Sequence, residues 1–400
     1  MAGMELLVVA NPYPPMASAG VNRVVRFLRY LPQHGWDPVV LAARASGPIA
    51  EPPGVPVVRA PVLMPRQLLA GGRRRARVQA WIGVPDPYVS WAGPAVLRGR
   101  RLLAERRFAA VFSSSPQASV HLVAALLSQH AGLPWLADFR DPWTTNRFRT
   151  YPTRAHRAFD ARLEAWAMSA PAAVSAVNGS IVDDLATRYP WLAGRTHVVP
   201  NGFDPGEEAD QVDLGPGFWF VHTGRLYGRD RQVHDFLSAL AGLPHDVKVL
   251  FVGIDGARIR AEARDLAIEG RVHVEPFVPH RRALGYQRAA DALLLVNGRG
   301  PESLSSKVFE YLQAGRPVFA ISPERCAARD LFDEVGGGAS VPPDATFDEP
   351  LAAFVRAVRE GRGPAVDREA LRRYRYDTLT ARLSAVLGGL VETSRPVAAP

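Results

Sequence analysis

Cysteine occurs once, at Cys326, in a chain of 400 residues. A single thiol excludes an intrachain disulfide and any cysteine-based zinc cluster, and is expected of a protein of the reducing cytoplasm. No uncharged apolar run approaches the roughly 20 residues that span a bilayer. The N-terminus lacks a basic start and is interrupted by Glu5, so neither a membrane span nor a secretory leader is expected. Lysine is nearly missing: of 48 basic residues only Lys248 and Lys307 are lysine.

What is present is apolar bulk and lopsided charge. With 47% hydrophobic residues the chain can bury sizeable cores, and 400 residues suit two domains of ordinary size. The net charge of +9 divides into +12 over residues 1–200 and −3 over residues 201–400. A basic first half beside a near-neutral second half implies one surface facing something anionic, whether phospholipid headgroups, a lipid pyrophosphate or nucleic acid. The densest basic cluster, Arg73 to Arg77, is flanked by Leu69, Trp81 and Ile82. It suits a membrane-surface element and a solvated basic face equally.

Short apolar runs at Leu6–Ala10, Val39–Ala43, Ala172–Val177 and Thr196–Val199 alternate with helical periodicity in the first half. Runs at Val247–Val252, Val272–Val274, Ala292–Val296 and Val318–Ile321 repeat the pattern in the second. Such alternation predicts two doubly wound, Rossmann-like α/β domains facing a central cleft. Residues 46–62 are proline-rich without clear periodicity, and residues 205–216, rich in Gly, Pro, Asp and Glu, read as the linker. The expected domains are therefore 1–204 and 205–375.

The most informative stretch runs from Gly298 to Val318. After a buried strand it opens a helix through Ser305 or Ser306 and stops it at Gly315, before Pro317. A helix start offers unpaired N–H groups and a positive dipole end, which favour an anion. Lys307, one of two lysines, stands there, and a compact ammonium on a flexible stem can reach a phosphate as a point charge. Glu310 follows three residues on, on the same face, where a carboxylate accepts from vicinal sugar hydroxyls. The same residues would also suit an ordinary amphipathic helix with Val308, Phe309 and Leu312 in the core.

Two further places carry candidate chemistry. Asn11 to Gly20 forms a strand-to-helix corner in which Gly20 lets a phosphate or sugar approach the backbone, followed by Arg23, Arg26 and Arg29 at helical spacing. A tight turn with a solvated arginine face fits that pattern as well. Asp138-Phe-Arg-Asp-Pro-Trp143 ends another strand, where open α/β sheets hold ligands, and packs charge densely between Trp135 and Trp143. A structural salt bridge is the other reading of it.

Glu302-x7-Glu310 followed by Ala314-Gly-Arg-Pro-Val318, with Ser306-Lys-Val-Phe-Glu-Tyr-Leu312 inside it, resembles the family-4 retaining glycosyltransferases of the GT-B type, in a polysaccharide-biosynthesis-like branch. Phe218–Arg225 and Leu136–Trp143 are similar to that branch too, so the likeness extends over nearly the whole chain. It implies that Glu310 holds the ribose of a nucleotide sugar and that Glu302 contacts the sugar ring. Gly224, Ser305, Ser306 and Lys307 would receive the diphosphate, and Arg225 with Arg229 or Arg231 would form a cationic clamp. Val278, in the loop Pro276–Pro279, would lie where the nucleobase rests. Arg140-Asp141 occupies the place of a His-Asp pair carried by many relatives. This puts Asp141 with Arg225, Lys307 and Glu302 among the implied catalytic residues, and His121, Asp138, Arg140 and again Asp141 on the acceptor side. Gly20 joins the donor-binding set. The last helix, 376–395, would pack back on the first domain.

The resemblance implies a hexosyl transfer from a nucleoside diphosphate sugar to a hydroxyl acceptor, with no cofactor and no nucleic-acid partner. Asp-x-Asp is absent from the chain, which argues against a metal-dependent transferase, and no metal ligand is nominated. The acceptor is either lipid-linked, with the protein peripheral at an anionic membrane, or a soluble natural product. A nucleotide-sugar 2-epimerase of the same architecture is the rival enzyme.

Overall fold

The central apolar runs become strands buried on both faces, as parallel sheets flanked by helices require, while the edge strands at Thr196–Val198 and Val272–Glu275 are partly exposed. The computed structural model describes residues 3–16, 19–47, 49–64, 73–226, 230–297 and 304–394. The chain divides into two units, residues 1–200 with 376–400, and residues 201–375.

In the first unit the elements run β1 (Met4–Ala10), α1 (Ala19–Tyr30), β2 (Trp36–Ala43), β3 (Val57–Ala60), α2 (Arg73–Ile82) and α3 (Ala92–Glu105). They continue with β4 (Phe108–Ser114), α4 (Ser119–Ala131), β5 (Trp135–Phe139), α5 (Arg154–Ala167), β6 (Ala173–Ala176), α6 (Gly179–Arg188) and β7 (Thr196–Val198). Among the described residues the strands form one parallel sheet in the order β3-β2-β1-β4-β5-β6-β7. The period of two along β1 splits its side chains between two cores: Leu7 and Val9 pack with α4, while Leu6 and Val8 pack with Phe27 and Leu28 of α1.

The second unit holds β8 (Phe218–Thr223), α7 (Asp230–Ala241), β9 (Val247–Val252), α8 (Ala257–Asp265), β10 (Val272–Glu275), α9 (His280–Ala289) and β11 (Ala292–Val296). After these come α10 (Lys307–Ala314), β12 (Val318–Ile321), α11 (Ala327–Val335), β13 (Gly338–Val341), α12 (Asp348–Arg359) and the short α13 (Arg368–Leu371). Its sheet repeats the first in the order β10-β9-β8-β11-β12-β13. Gly315, at a left-handed φ of 70°, ends α10 as expected. The strand order reverses beside β1 in one unit and beside β8 in the other, and those switch points are where open α/β sheets take ligands.

A final helix, α14 (Tyr376–Ser394), returns to the first unit. Leu379, Leu383 and Leu387 enter the core lined by α1, Tyr376 meets Phe27 edge-on at 5.3 Å, and Trp36 donates to Ser384 Oγ at 2.9 Å.

Three expectations need adjusting. The unit boundary falls after Pro200, not after Asp204, because Phe203 is buried in the second unit's core and its N–H donates to Tyr374 O at 3.1 Å. The 205–216 stretch is held to that unit, Asp210 N–H donating to Arg281 O at 3.1 Å. The proline-rich 46–62 segment contains β3, whose backbone pairs with β2 although its sequence shows no alternation.

Candidate functional site

The second unit gathers its polar groups at the carboxyl ends of β8, β9 and β10. Gly224 follows β8 at φ 85°, a conformation that disfavours any side chain. A Cβ there would stand 3.3 Å from Lys307 Nζ, so the bare glycine is what lets the ammonium lie over the backbone. Lys307 is the first residue of α10 and follows Ser306, which caps the helix through its backbone without a side-chain bond. Two neighbours lock this corner. Thr223 N–H donates to the buried Tyr311 hydroxyl at 2.8 Å, and Gln287 Nε2 donates to Thr223 Oγ1 at 3.0 Å. Burial pushes the Tyr311 phenol up to about 12, so it stays a neutral hydroxyl.

Glu310, one turn along α10, is buried, and His280 at the start of α9 reaches toward it. His280 Nε2 lies 3.2 Å from Glu207 Oε2 and 4.0 Å from Glu310 Oε1. The three donor atoms lie within 4.8 Å of one another, the set among the described residues that could hold a divalent ion. Beside this corner a cavity of about 810 Å³ opens between Arg225, Gly253, Gly256, Arg258, Arg260 and Phe277, a volume typical of small-molecule sites. Arg225 is exposed, and Val278 is half-buried against the core that carries α10. Arg231 is turned to solvent, its Nε 3.6 Å from Asp235. Glu302 and Arg229 lie outside the described residues.

The first unit answers the arginine pattern of α1 differently from a solvated face: only Arg29 is exposed. Arg23 is buried and donates to Asp138 through Nε at 2.9 Å and Nη2 at 2.8 Å, and to Val199 O and Pro200 O. Arg26 is buried with its guanidinium 5.4 Å from the Tyr376 ring. Asp138 also accepts from Ser114 Oγ at 2.7 Å and Ser175 Oγ at 2.8 Å, which occupies both oxygens. Burial works to raise this carboxyl, but the Arg23 charge and these hydrogen bonds outweigh it and hold it below the usual range. The residue nominated for the acceptor side is thus enclosed as a structural ion pair. His121 is enclosed too, stacked on Phe139 at 4.4 Å with Nδ1 2.8 Å from Ser113 Oγ. Burial lowers its imidazole to about 3, with the Asp138 charge opposing.

Arg140 and Asp141 reach the rim of the sheet. The space a side chain at Gly20 would need is taken by Arg140 Nη1 at 3.1 Å, with Pro12 and Pro116 beside it. Gly20 therefore makes room for a guanidinium. Arg140 is lowered by burial and then by the Arg23 charge. Asp141, exposed by area but set in a recess, is raised by burial against the pull of Arg140.

His280, Glu207 and the Gly253–Gly256 loop were not anticipated. The glycine pair directly after the apolar run Val247–Val252 is the signal that could have shown the cavity; His280 and Glu207 are 73 positions apart and carry none.

Residues 19–207 match the model of Glycosyltransferase Family 4. None of the curated proteins matches the chain in sequence. Sucrose-phosphate synthase from Thermosynechococcus elongatus superposes with a TM-score of 0.71 at 14% identity, over 98% of this chain and 100% of that one. HepE from Anabaena, in complex with UDP and glucose, gives 0.66 at 15% identity over 96% and 100%. A putative UDP-N-acetylglucosamine 2-epimerase from Listeria monocytogenes gives 0.58 at 11% identity over 99% of each chain. At such identities the likeness is one of fold. With two parallel-sheet units in matching strand order the chain has the GT-B fold, and its residues 19–207 are similar to Glycosyltransferase Family 4.

Proposed function

We propose that the protein moves a hexosyl unit from a nucleoside diphosphate sugar to a hydroxyl acceptor with retention at the anomeric carbon, without a metal ion, in the building of a cell-surface polysaccharide or glycolipid. The observation that carries the reading is the Lys307 ammonium lying over the bare backbone of Gly224, next to Glu310 and to a cavity large enough for a nucleotide. HepE, whose structure contains UDP and glucose, supports a nucleotide-sugar donor.

The barrier in such a transfer is the charge that grows on the departing diphosphate. Lys307 and Arg225 would stabilise it as preorganised cations, and the amides that open α10 would add their dipoles. Glu310 would accept from the ribose hydroxyls, with His280 setting the carboxylate's orientation from 4.0 Å. Retention would follow if the leaving phosphate takes the acceptor's proton on the face it leaves, so no side chain is needed as a nucleophile. The basic first half fits a lipid-linked acceptor at the cytoplasmic face of a membrane.

Thermal unfolding against a panel of nucleotide sugars tests the donor. Stabilisation by one of them, lost in Glu310→Ala and Lys307→Ala while both stay folded, is expected. Turnover should survive EDTA; its abolition would show that Glu207, His280 and Glu310 carry an ion that the reaction needs. Release of an isomerised free sugar with no acceptor present would replace this reading with a 2-epimerase.

A further inference from the structure

We propose that α5, the loop before it and the last turn of α2 form a docking face for an anionic lipid bilayer. This deepens the reading of a lipid-linked acceptor and rests on that reading for its purpose. Four large apolar side chains meet solvent here: Phe148 is 80% exposed, Trp81 58%, Ile82 54% and Phe159 53%. The end of α2 meets α5 at His156, and the loop that carries Phe148 is tied to α5 by the Arg149–Asp160 ion pair at 2.8 Å. The Trp81 ring packs edge-on against His156 at 5.0 Å, and His156 Nε2 lies 3.2 Å from Trp81 O. Phe159 follows one helical turn after His156. It shares an exposed stripe with Arg162 and Trp166, three and seven positions on.

The charges sort by sign. Arg147, Arg154, Arg157 and Arg162 are exposed, and the Arg147 guanidinium lies 5.1 Å from the Phe148 ring. Residues 142–169 contain two acids, Asp160 and Glu164, and both are buried. Asp160 is held by Arg149 at 2.8 Å and by Tyr151 and Trp143, and Glu164 by Arg188 at 2.7 Å. The nearest further acid in contact with the loop, Asp184, accepts from Thr145 and is bridged to Arg188 at 2.8 Å. A helix that turns its carboxylates inward and its arginines and aromatics outward reverses the usual amphipathic order. Exposed aromatic and aliphatic side chains among arginines match the headgroup and acyl boundary of an anionic leaflet. Nucleic acid would use the arginines and the rings but has no use for Ile82 and Val78. The loop also begins directly after Arg140 and Asp141 at the carboxyl end of β5, so docking would bring that edge of the sheet to the membrane.

Co-sedimentation of the full chain with phosphatidylglycerol-containing vesicles, against phosphatidylcholine alone, tests this. Binding to the anionic vesicles that high salt releases is expected, with a loss of about five-fold for each arginine removed in Arg154→Ser, Arg157→Ser and Arg162→Ser. Phe148→Ser/Phe159→Ser should release the protein without changing the salt dependence. Brominated lipid should quench part of the tryptophan emission, and Trp81→Phe/Trp166→Phe should abolish that part. Equal binding to both vesicle types, binding unchanged in all these variants, or capture by RNA instead of vesicles would overturn the proposal. If vesicles fail but a nucleotide sugar still raises the melting temperature, the docking face falls and the transferase reading stands; if no nucleotide sugar binds, that reading fails on its own.

Discussion

Removing the Asp138 carboxylate separates a structural from a catalytic role. It accepts from Arg23 at 2.9 and 2.8 Å, from Ser114 at 2.7 Å and from Ser175 at 2.8 Å, with both ion-pair partners at most 1% exposed. In Asp138→Ala the Arg23 guanidinium keeps the carbonyls of Val199 and Pro200 but loses its counter-charge inside the protein. Breaking a buried pair in this way costs about 3–5 kcal/mol. With a urea dependence of about 2–3 kcal/mol/M, the midpoint of the first unit's transition should fall by roughly 1–2 M. Emission from Trp36, Trp91 and Trp135, all buried in that unit, would follow it. Replacing both partners, Arg23→Met/Asp138→Leu, should be less destabilising than Asp138→Ala alone, because no charge is then left without a partner. A loss below about 1 kcal/mol together with abolished turnover would refute the argument and return Asp138 to the acceptor side.

His121, lowered to about 3 by burial, binds its proton in the unfolded chain first. Its share of stability is full above the ordinary histidine range near 6.5 and falls as pH drops from there toward about 3, so His121→Phe should flatten the pH dependence of unfolding over that window. Asp138, held low, contributes above the ordinary carboxylate range and loses that contribution as pH falls through its depressed value; acid unfolding of Asp138→Asn should show a smaller drop. Gly224→Ala puts a side chain at φ 85° and 3.3 Å from Lys307 Nζ, so a loss of about 1–2 kcal/mol in urea and a raised donor KM are expected. His280→Ala should raise donor KM with kcat largely kept, and His280→Gln should recover part of it; an unchanged KM would remove His280 from the site.

Local patterns were legible wherever a residue's neighbours in sequence are also its neighbours in space. Ala292–Val296, Val247–Val252 and the Gly315 stop are found where the apolar runs and the glycine put them. Lys307 was marked by composition and sits over Gly224. Charge periodicity left α1 open between an anion-binding corner and a solvated arginine face, because nothing local shows that Asp138, 115 residues from Arg23, is brought against it. The strand β3 escaped notice for a related reason: its backbone is held by β2 and its side chains are only half-buried until Ala60, so no alternation marks it. The Glu207–His280–Glu310 convergence joins three separate elements, and nothing local to any of them announces it.

The return of α14 to the first unit has a consequence for how the protein is made. Residues 201–375 are synthesised between the bulk of the first unit and the helix that fills its α1-side core. At about 5–20 residues per second those 175 positions take roughly 9–35 s, during which Phe27, Trp36 and Leu31 await Leu379, Leu383 and Leu387. On the ribosome the second unit can therefore mature before the first is sealed, and until α14 emerges the nascent first unit presents an open apolar seam along α1.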